Sequence, residues 1–568
     1  MNYEKISSLA IVLFMLISGM ITSFSVGSEM EIKGDTNVLY VGGNGPANYT
    51  TIQNAINYSK SGYTVYIYEG EYNENLLINE SISIKGANLN NTVISGNGIT
   101  DVIEVTVNSV NIIDVSIKGG ESNSGILVND VDNFKFSNGN ILDNKYGIYL
   151  FDSDYSTIEN ISISNNKYGL QITNSEYLKI ANNSFENDSI VLGGNSLKEW
   201  NTHDIDRSNK VNGDSLLYYK NKSNITIESN FGQIILVNCT KFSIKNSIVN
   251  NCSIAVELGF SSMNILSNLT TNSNSVDALY LYNSNNNIIK NSTIQYNDKG
   301  ICTMSSHNNN YKNISYKNNL QSMYLYNSDN NEIYENLFFK SNYSFYLYNS
   351  NYNLIYNNNI INSEGFDNSL NYWNKSYPES GNYWSDYEGA DLYQGPDQSQ
   401  PGSDGIGDEP YSIPGDSNND EYPLIEPYSI DENPPDINSV RVSNKTNNST
   451  TIEWNTSELC TSKLTYSSFS NMSNNKSLSN SSYTTIHRME INNISSDEVY
   501  YFKVSSMDTS GNWNTDNNNS NYYMFKTDST PSTENEKPNI IDVTTQIPYT
   551  GDTILIEVNV TDDSNVSS

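Results

Sequence analysis

The chain has 568 residues, with 64 Asp and Glu against 30 Lys and Arg, a net charge of -34 and a pI near 4.3. That balance argues against a nucleic-acid partner, because phosphate binding takes a basic surface. Hydrophobic residues make up only 36%, which suits a thin core under a large surface, and the length leaves room for several domains.

In chain order, residues 1–5 give a short basic start, residues 9–24 an apolar run and Val26-Gly27-Ser28 a small-residue exit, so residues 1–28 read as a secretory signal peptide. No later segment is apolar enough to span a membrane, and an extracellular or cell-surface location is expected. Next comes a capping helix, with Thr50 as N-cap, Gln53 three places on, Ile52, Ala55 and Ile56 on one face and Gly62 as the stop. It is expected to cover the open end of the β-structure C-terminal to it.

From Gly125 the chain restarts every 22 residues, at Gly147 and Gly169 and later at Ala278, Gly300, Ser322 and Ser344. A repeat this short, rich in β-formers and without a helical period, is one coil of a β-solenoid. Period-2 alternation sends Ile126, Ile148, Leu170, Leu279, Ile301, Met323 and Phe345 inward, and Val128, Leu150, Ile172, Leu281, Thr303, Leu325 and Leu347 with them. The intervening tyrosines point outward. Phe136, Ile158, Ile180, Ile289, Ile333 and Ile355 mark a second strand, and Ile163, Phe185, Ile294, Phe338 and Ile360 a third. Asn160, Asn182, Asn291, Asn313 and Asn357 share a corner column, where Asn tolerates the left-handed turn and its amide can bond to the next coil.

Beyond the coils lies an Asp/Gly-rich stretch, 382–430, that reads as a C-terminal cap. Pro434-Pro435 then opens a β-sandwich over 433–527, with Trp454 in its core and Tyr501 as a tyrosine corner, which looks like a fibronectin type III module of the kind used as spacers. Residues 537–568 supply two or three strands of an incomplete Ig-like domain, so a truncated C-terminus, lacking any envelope anchor, is expected. Cys239, Cys252, Cys302 and Cys460 have no metal-ligand or CxxC spacing and read as buried thiols.

The cap helix with "GYTVYIYEGEYNENLLINESISIKG", the "GIYLFDSDYSTIENISISNN" coils and the tail "GNYWSDYEGADLYQGPDQSQPGSDGIGDEPYSIPGDSNNDEYPL" resemble the right-handed parallel β-helix family of NosD type. That family shares its repeat with carbohydrate-binding, sugar-hydrolysis and pectin-lyase-like proteins and is abundant among archaeal surface proteins. The likeness covers about residues 38–428, and the insertion "EWNTHDIDRSNKVNGDSLLYYKN" resembles a segment the family carries between coils. It implies a right-handed parallel β-helix over 38–381, and with the sandwich and the partial Ig-like segment that follow the chain is expected to be all-β. Handedness comes from the resemblance alone.

Three groups of residues carry chemistry. Tyr280, Tyr282, Tyr324, Tyr326, Tyr346 and Tyr348 line one outward sheet, either as a ladder of ring contacts or as a platform on which sugars stack. Asp130, Asp152 and Asp154, with Asp132, Asn174 and Glu176, form an acidic corner that makes Asx-turns, binds a cation or serves catalysis. Asp391, Asp397, Asp404 and Asp408 lie in a Gly-punctuated loop that either makes a capping turn or, resembling part of a calcium site, holds calcium.

A lyase base is hard to find, since the solenoid's single arginine, Arg207, sits in the insertion, whereas the paired carboxylates of a hydrolase are available. Copper fits poorly, because His203, His307 and His487 lie far apart and methionine clusters are absent. Sequons such as those at Asn48, Asn160, Asn224, Asn313 and Asn493 are potential glycan acceptors, although Asn-rich corners also produce the tripeptide by chance. The expected role is recognition of polysaccharide or cell-envelope glycans, adhesion or envelope structure, with a polysaccharide hydrolase or lyase at the acidic corner as the rival.

Overall fold

A computed structural model describes residues 37–416, 418–429, 433–508 and 511–530, and the backbone of two short strands, Asn539–Asp542 and Val558–Thr561. The expected signal peptide lies outside the described residues, as does most of the partial Ig-like segment. The chain divides into two units, 1–428 and 429–568.

The first unit is a β-solenoid of about 16 turns. Its consecutive coils pair in parallel, and in the 22-residue repeats the offset is constant, so Ile126 lies against Ile148 and Ile148 against Leu170, and Leu279, Ile301, Met323 and Phe345 follow one another in the later coils. Every inward residue read from the repeat is fully buried. In-register stacking brings the coil starts so close that a Cβ on Gly147 or Gly169 would lie 2.4 or 2.6 Å from a carbonyl oxygen of the next coil. At the seven coil starts of the 22-residue count that place holds Gly, Ala or Ser.

Asn160, Asn182, Asn291, Asn313 and Asn357 do take left-handed φ values of 50–57°, and Asn313 Nδ2 donates to Asn291 Oδ1 at 3.1 Å. The buried amide ladders, however, run along other columns. Asn264, Asn287, Asn309, Asn331, Asn353 and Asn371 form one of them, each Oδ1 after the first accepting from the backbone N–H of the Asn one coil earlier at 2.8–3.0 Å. Asn144, Asn166 and Asp188 form another. A left-handed corner turns its side chain to solvent, whereas the ladder Asn sits just past the corner and closes a turn that faces the core.

The regular stack is interrupted once. One wall of the first coils ends at the strand Ile190–Gly193, and the strands Gln233–Val237 and Ile254–Gly259 belong to a second stack. Among the described residues, no strand continues Ile190–Gly193. Side chains satisfy its edge instead: Gln233 Oε1 accepts from Ile190 N, Gln233 Nε2 donates to Ile190 O, and Glu257 Oε2 accepts from Leu192 N at 3.1 Å. Burial holds the Glu257 carboxyl well above the usual carboxylate range. Trp200, on the short helix Lys198–Asn201 of the insertion, packs over the second stack and is fully buried.

Both ends of the solenoid are covered. Helix α1 (Ile52–Tyr58) buries Ile52, Ala55 and Ile56, but its N-cap is Thr51, one place after the expected Thr50. The capping-box partner also differs. Glu74 accepts from the N–H groups of Ile52 and Gln53, while Gln53 bonds Leu77 N at 2.8 Å and so ties the helix to the strand Leu76–Ile78. At the far end Trp373 and Trp384 are buried, donating to Asp367 Oδ2 and Asp420 Oδ2 at 2.9 and 3.1 Å.

The second unit holds six antiparallel strands around Trp454, Leu464, Phe502 and Val504. Trp454 stacks on His487 and donates to Ser506 Oγ at 3.0 Å. Tyr500, not Tyr501, is the buried ring, and its hydroxyl accepts from Ser495 N at 2.9 Å. Alternation decides between these neighbours, since Tyr500, Phe502 and Val504 share the inner face. All four cysteines are buried and unpaired, Cys460 in this unit.

Two outcomes are expected of the ladders. Asn331→Ala orphans the Asn309 N–H and the Ser306 carbonyl, and is expected to cost about 2–4 kcal/mol in thermal unfolding, against roughly 1 kcal/mol for Asn313→Ala at an exposed corner. Burial pushes the fully buried Asp188 carboxyl up to about 7. The folded value lies above the unfolded one, so the Asp188 contribution is complete below pH about 4 and is lost as pH rises through about 7. Asp188→Asn continues the ladder without a charge, and its stability relative to the parent is expected to grow across that window by a few kcal/mol, to within roughly a factor of two.

Candidate functional site

In-register pairing places Tyr346 beside Tyr324 and Tyr348 beside Tyr326 on the outer face of the strands Gln321–Tyr326 and Tyr343–Tyr348. The first pair stacks with centroids 5.5 Å apart and an 11° interplanar angle, the second at 5.7 Å and 3°. Phe366, on the strand Glu364–Asp367, extends the first column at 4.8 Å from Tyr346. Tyr280 and Tyr282 lie in the same two columns but under a lid, because Trp200 stacks on both, at 6.2 and 5.5 Å. Burial pushes the Tyr280 phenol far up, and its hydroxyl donates to Met304 Sδ. The open face therefore consists of Tyr324, Tyr326, Tyr346, Tyr348 and Phe366, with Tyr348 39% exposed.

This face runs into a cleft. Tyr343 meets Tyr346 edge-on at 5.8 Å and lines a cavity of about 610 Å³ together with Ser341, Asn342, Asn362, Ser363, Glu364, Ser385 and Asp386. Glu364 and Phe366 share the outward face of one short strand. The Tyr411 hydroxyl, stacked by its ring on Trp384 at 4.3 Å, donates to Asp386 at 3.0 Å and holds that carboxylate in place. No basic side chain lines the cleft. Two carboxylates, amides and hydroxyls beside flat rings make up the chemistry that meets sugar hydroxyls and C–H faces. Sequence reasoning missed Glu364 and Asp386, although a signal existed, since Ser341, Ser363 and Ser385 continue the 22-residue count past the last tyrosine coil.

Asp130 and Asp152 are exposed at left-handed turns, with φ of 54° and 47°, and Asn174 takes the same conformation one coil on. Asp154 differs from them. Its Oδ1 accepts from Glu176 N at 2.7 Å, and Asp132 Oδ1 accepts from Asp154 N at 3.0 Å, so this column is a coil-to-coil ladder. In the cap loop, Asp391 accepts from Ser403, Asp404 N and Gly405 N, Asp404 from Gly395 N and Ile406 N, and Asp408 from Leu392 N and Tyr393 N. Asp397 is exposed. Among the described residues, no group of three or more His, Cys, Asp or Glu is arranged to hold a metal ion.

The histidines stand apart. The two ring nitrogens of His203 face Glu199 O and Leu178 N, and burial pushes its pKa down to about 4. His307 Nδ1 accepts from Asp329 N, and His487 sits between Thr456 and Ser462 in the second unit.

Residues 205–389 match the family described as periplasmic copper-binding protein (NosD), and residues 81–231 match the right-handed beta helix region. Together with the solenoid these matches support a right-handed β-helix family for the chain. The histidine settings do not fit the copper in the first name. No curated protein matches the chain. Among solved structures, an alginate lyase from Paenibacillus sp. is 15% identical, over 49% of this chain and 95% of its own, with a TM-score of 0.24. The catalytic domain of a GH87 α-1,3-glucanase is 14% identical over 61% and 68%, with a TM-score of 0.28. A pectin methylesterase from Aspergillus niger is 12% identical over 51% and 88%, with a TM-score of 0.24. At these values none of the three carries an inference about this chain. Among the described residues, no helix is long and apolar enough to cross a membrane.

The cap-loop carboxylates already accept from backbone N–H groups, so calcium and a chelator are expected to give the same melting curve. Asp391→Ala, which orphans two N–H groups and a hydroxyl, is expected to lower the transition by about 1–3 kcal/mol.

Proposed function

We propose that this chain is a secreted or cell-surface β-helix protein that recognises a polysaccharide on its aromatic face. The supporting observation is the row Tyr324, Tyr346 and Phe366, whose parallel rings lead through Tyr343 into the polar cleft. Rings stacked on one another at the coil repeat leave their edges and the tyrosine hydroxyls in a row toward a chain of sugars, while Glu364, Asp386 and the Asn and Ser side chains accept and donate to hydroxyls. The apolar run at residues 9–24 supports export. The second unit, with its Trp454 core and Tyr500 corner, fits a fibronectin type III-like spacer.

A second reading, polysaccharide hydrolysis, is favoured by one observation: Glu364 and Asp386 line the same cleft, and glycoside hydrolysis runs on a carboxylate pair. This moves the enzymatic rival from the Asp130, Asp152 and Asp154 corner to the end of the solenoid.

Tyr324→Ala combined with Tyr346→Ala is expected to abolish retention on a glycan array while far-ultraviolet circular dichroism stays unchanged, because outward rings give contact area to a ligand more than to the core. Asp152→Asn with Asp154→Asn is expected to leave retention intact. Release of reducing ends by the parent, lost in Glu364→Gln, would replace recognition with hydrolysis.

A further inference from the structure

The second unit presents a face unlike the rest of this acidic chain. Leu464, Phe502 and Val504 point into its core, so Lys463, Thr465, Lys503 and Ser505 point the other way. Register sets Lys463 opposite Ser505 and Thr465 opposite Lys503, which makes the two lysines diagonal neighbours across the strand pair. Two hydroxyl pairs flank them, Thr465 with Ser477 at 3.0 Å and Ser505 with Thr515 at 2.8 Å. Trp513 closes the other side, 49% exposed, with Lys463 Nζ 5.9 Å from its ring centroid. These groups line an open cavity of about 390 Å³ to which no carboxylate contributes.

Elsewhere in the unit, Arg441 and Arg488 pair with Glu453, Lys445 with Asp528 and Lys526 with Asp497. Among the described residues, Lys463, Lys503 and the exposed Lys476 have no such partner, and of these Lys463 and Lys503 share one cavity. In a chain with 64 acidic against 30 basic residues, carboxylates are plentiful, yet two adjacent ammonium groups stand together without one. Both line one cavity, so an anion held there meets two positive charges. The indole beside them supplies a flat apolar surface of the kind a pyranose ring covers.

We infer that this face binds an anionic sugar unit, a pyranose bearing a carboxylate or a sulfate, with Lys463 and Lys503 on the anion, the hydroxyl pairs on the sugar hydroxyls and Trp513 on the ring. The site is separate from the aromatic face of the solenoid and does not depend on its reading.

The test uses the full chain in affinity electrophoresis and calorimetry against oligogalacturonate, a heparin-derived oligosaccharide, neutral dextran and inorganic sulfate. Binding to one or both anionic oligosaccharides is expected, weakening about tenfold as salt rises from about 50 to about 300 mM, with dextran unbound. The oligogalacturonate and heparin arms tell carboxylate from sulfate. Lys463→Gln with Lys503→Gln is expected to lose at least about tenfold in affinity, and Lys445→Gln, whose partner is Asp528, to lose nothing. Trp513→Ala is expected to weaken the oligosaccharides about tenfold with little change for inorganic sulfate. Failure of both anionic oligosaccharides to bind, equal binding of dextran, or full retention by the folded double-lysine variant overturns the proposal. Equal loss of sugar and sulfate in Trp513→Ala overturns the sugar part of it.

Discussion

Parallel hydrogen bonding in register between consecutive coils is the constraint on which the rest of the solenoid depends. Each residue meets its counterpart one coil away, about 4.8 Å off, so every column of the sequence becomes a row of like side chains in space. A column of Ile and Leu makes a core, a column of Asn makes a hydrogen-bond ladder and a column of Tyr makes a stack of parallel rings. The same spacing leaves little room beside the coil starts, and the seven of the 22-residue count hold Gly, Ala or Ser.

Register also explains the charged groups inside the fold. The run of ladder Asn from Asn144 through Asn166 closes on Asp188, and the ladder at the far end passes from Asn358 through Asn382 to Asp420. A carboxylate can only accept, so it terminates a column in which each amide both accepts and donates. Where the first stack stops, Gln233 and Glu257 imitate the missing strand, with an amide that donates and accepts as a peptide does and a carboxyl that takes one further N–H. The cost is two buried polar side chains at the junction, and it is offset by an edge that offers no free backbone to another chain.

The two proposed sites, the aromatic face and the lysine face, differ in the ligand chemistry they would meet. Rings followed by Glu364 and Asp386 suit hydroxyl-rich sugars and repel acid groups, whereas Lys463, Lys503 and Trp513 suit a sugar that carries an acid group. Both are built on sheet surfaces whose backbone is fixed by neighbouring strands, and neither needs a loop to order first.

Alternation and the 22-residue count were legible in the amino-acid order alone, because both are local or strictly periodic: they determined which residues face inward, where the left-handed corners fall and which tyrosines share a column. Tertiary structure decided what periodicity cannot express. That Tyr280 and Tyr282 are covered while Tyr324 and Tyr346 are open depends on Trp200, which reaches them from an insertion that obeys no repeat. That Glu74 caps α1, that the buried ladder takes Asn331 and leaves Asn313 at the surface, and that Tyr500 is the corner instead of Tyr501 depend on offsets of one or a few residues within a turn. That Glu364 and Asp386 open into one cleft beside Tyr343 depends on how the last coils and the cap close on one another, of which the sequence shows only the continued 22-residue spacing of Ser341, Ser363 and Ser385.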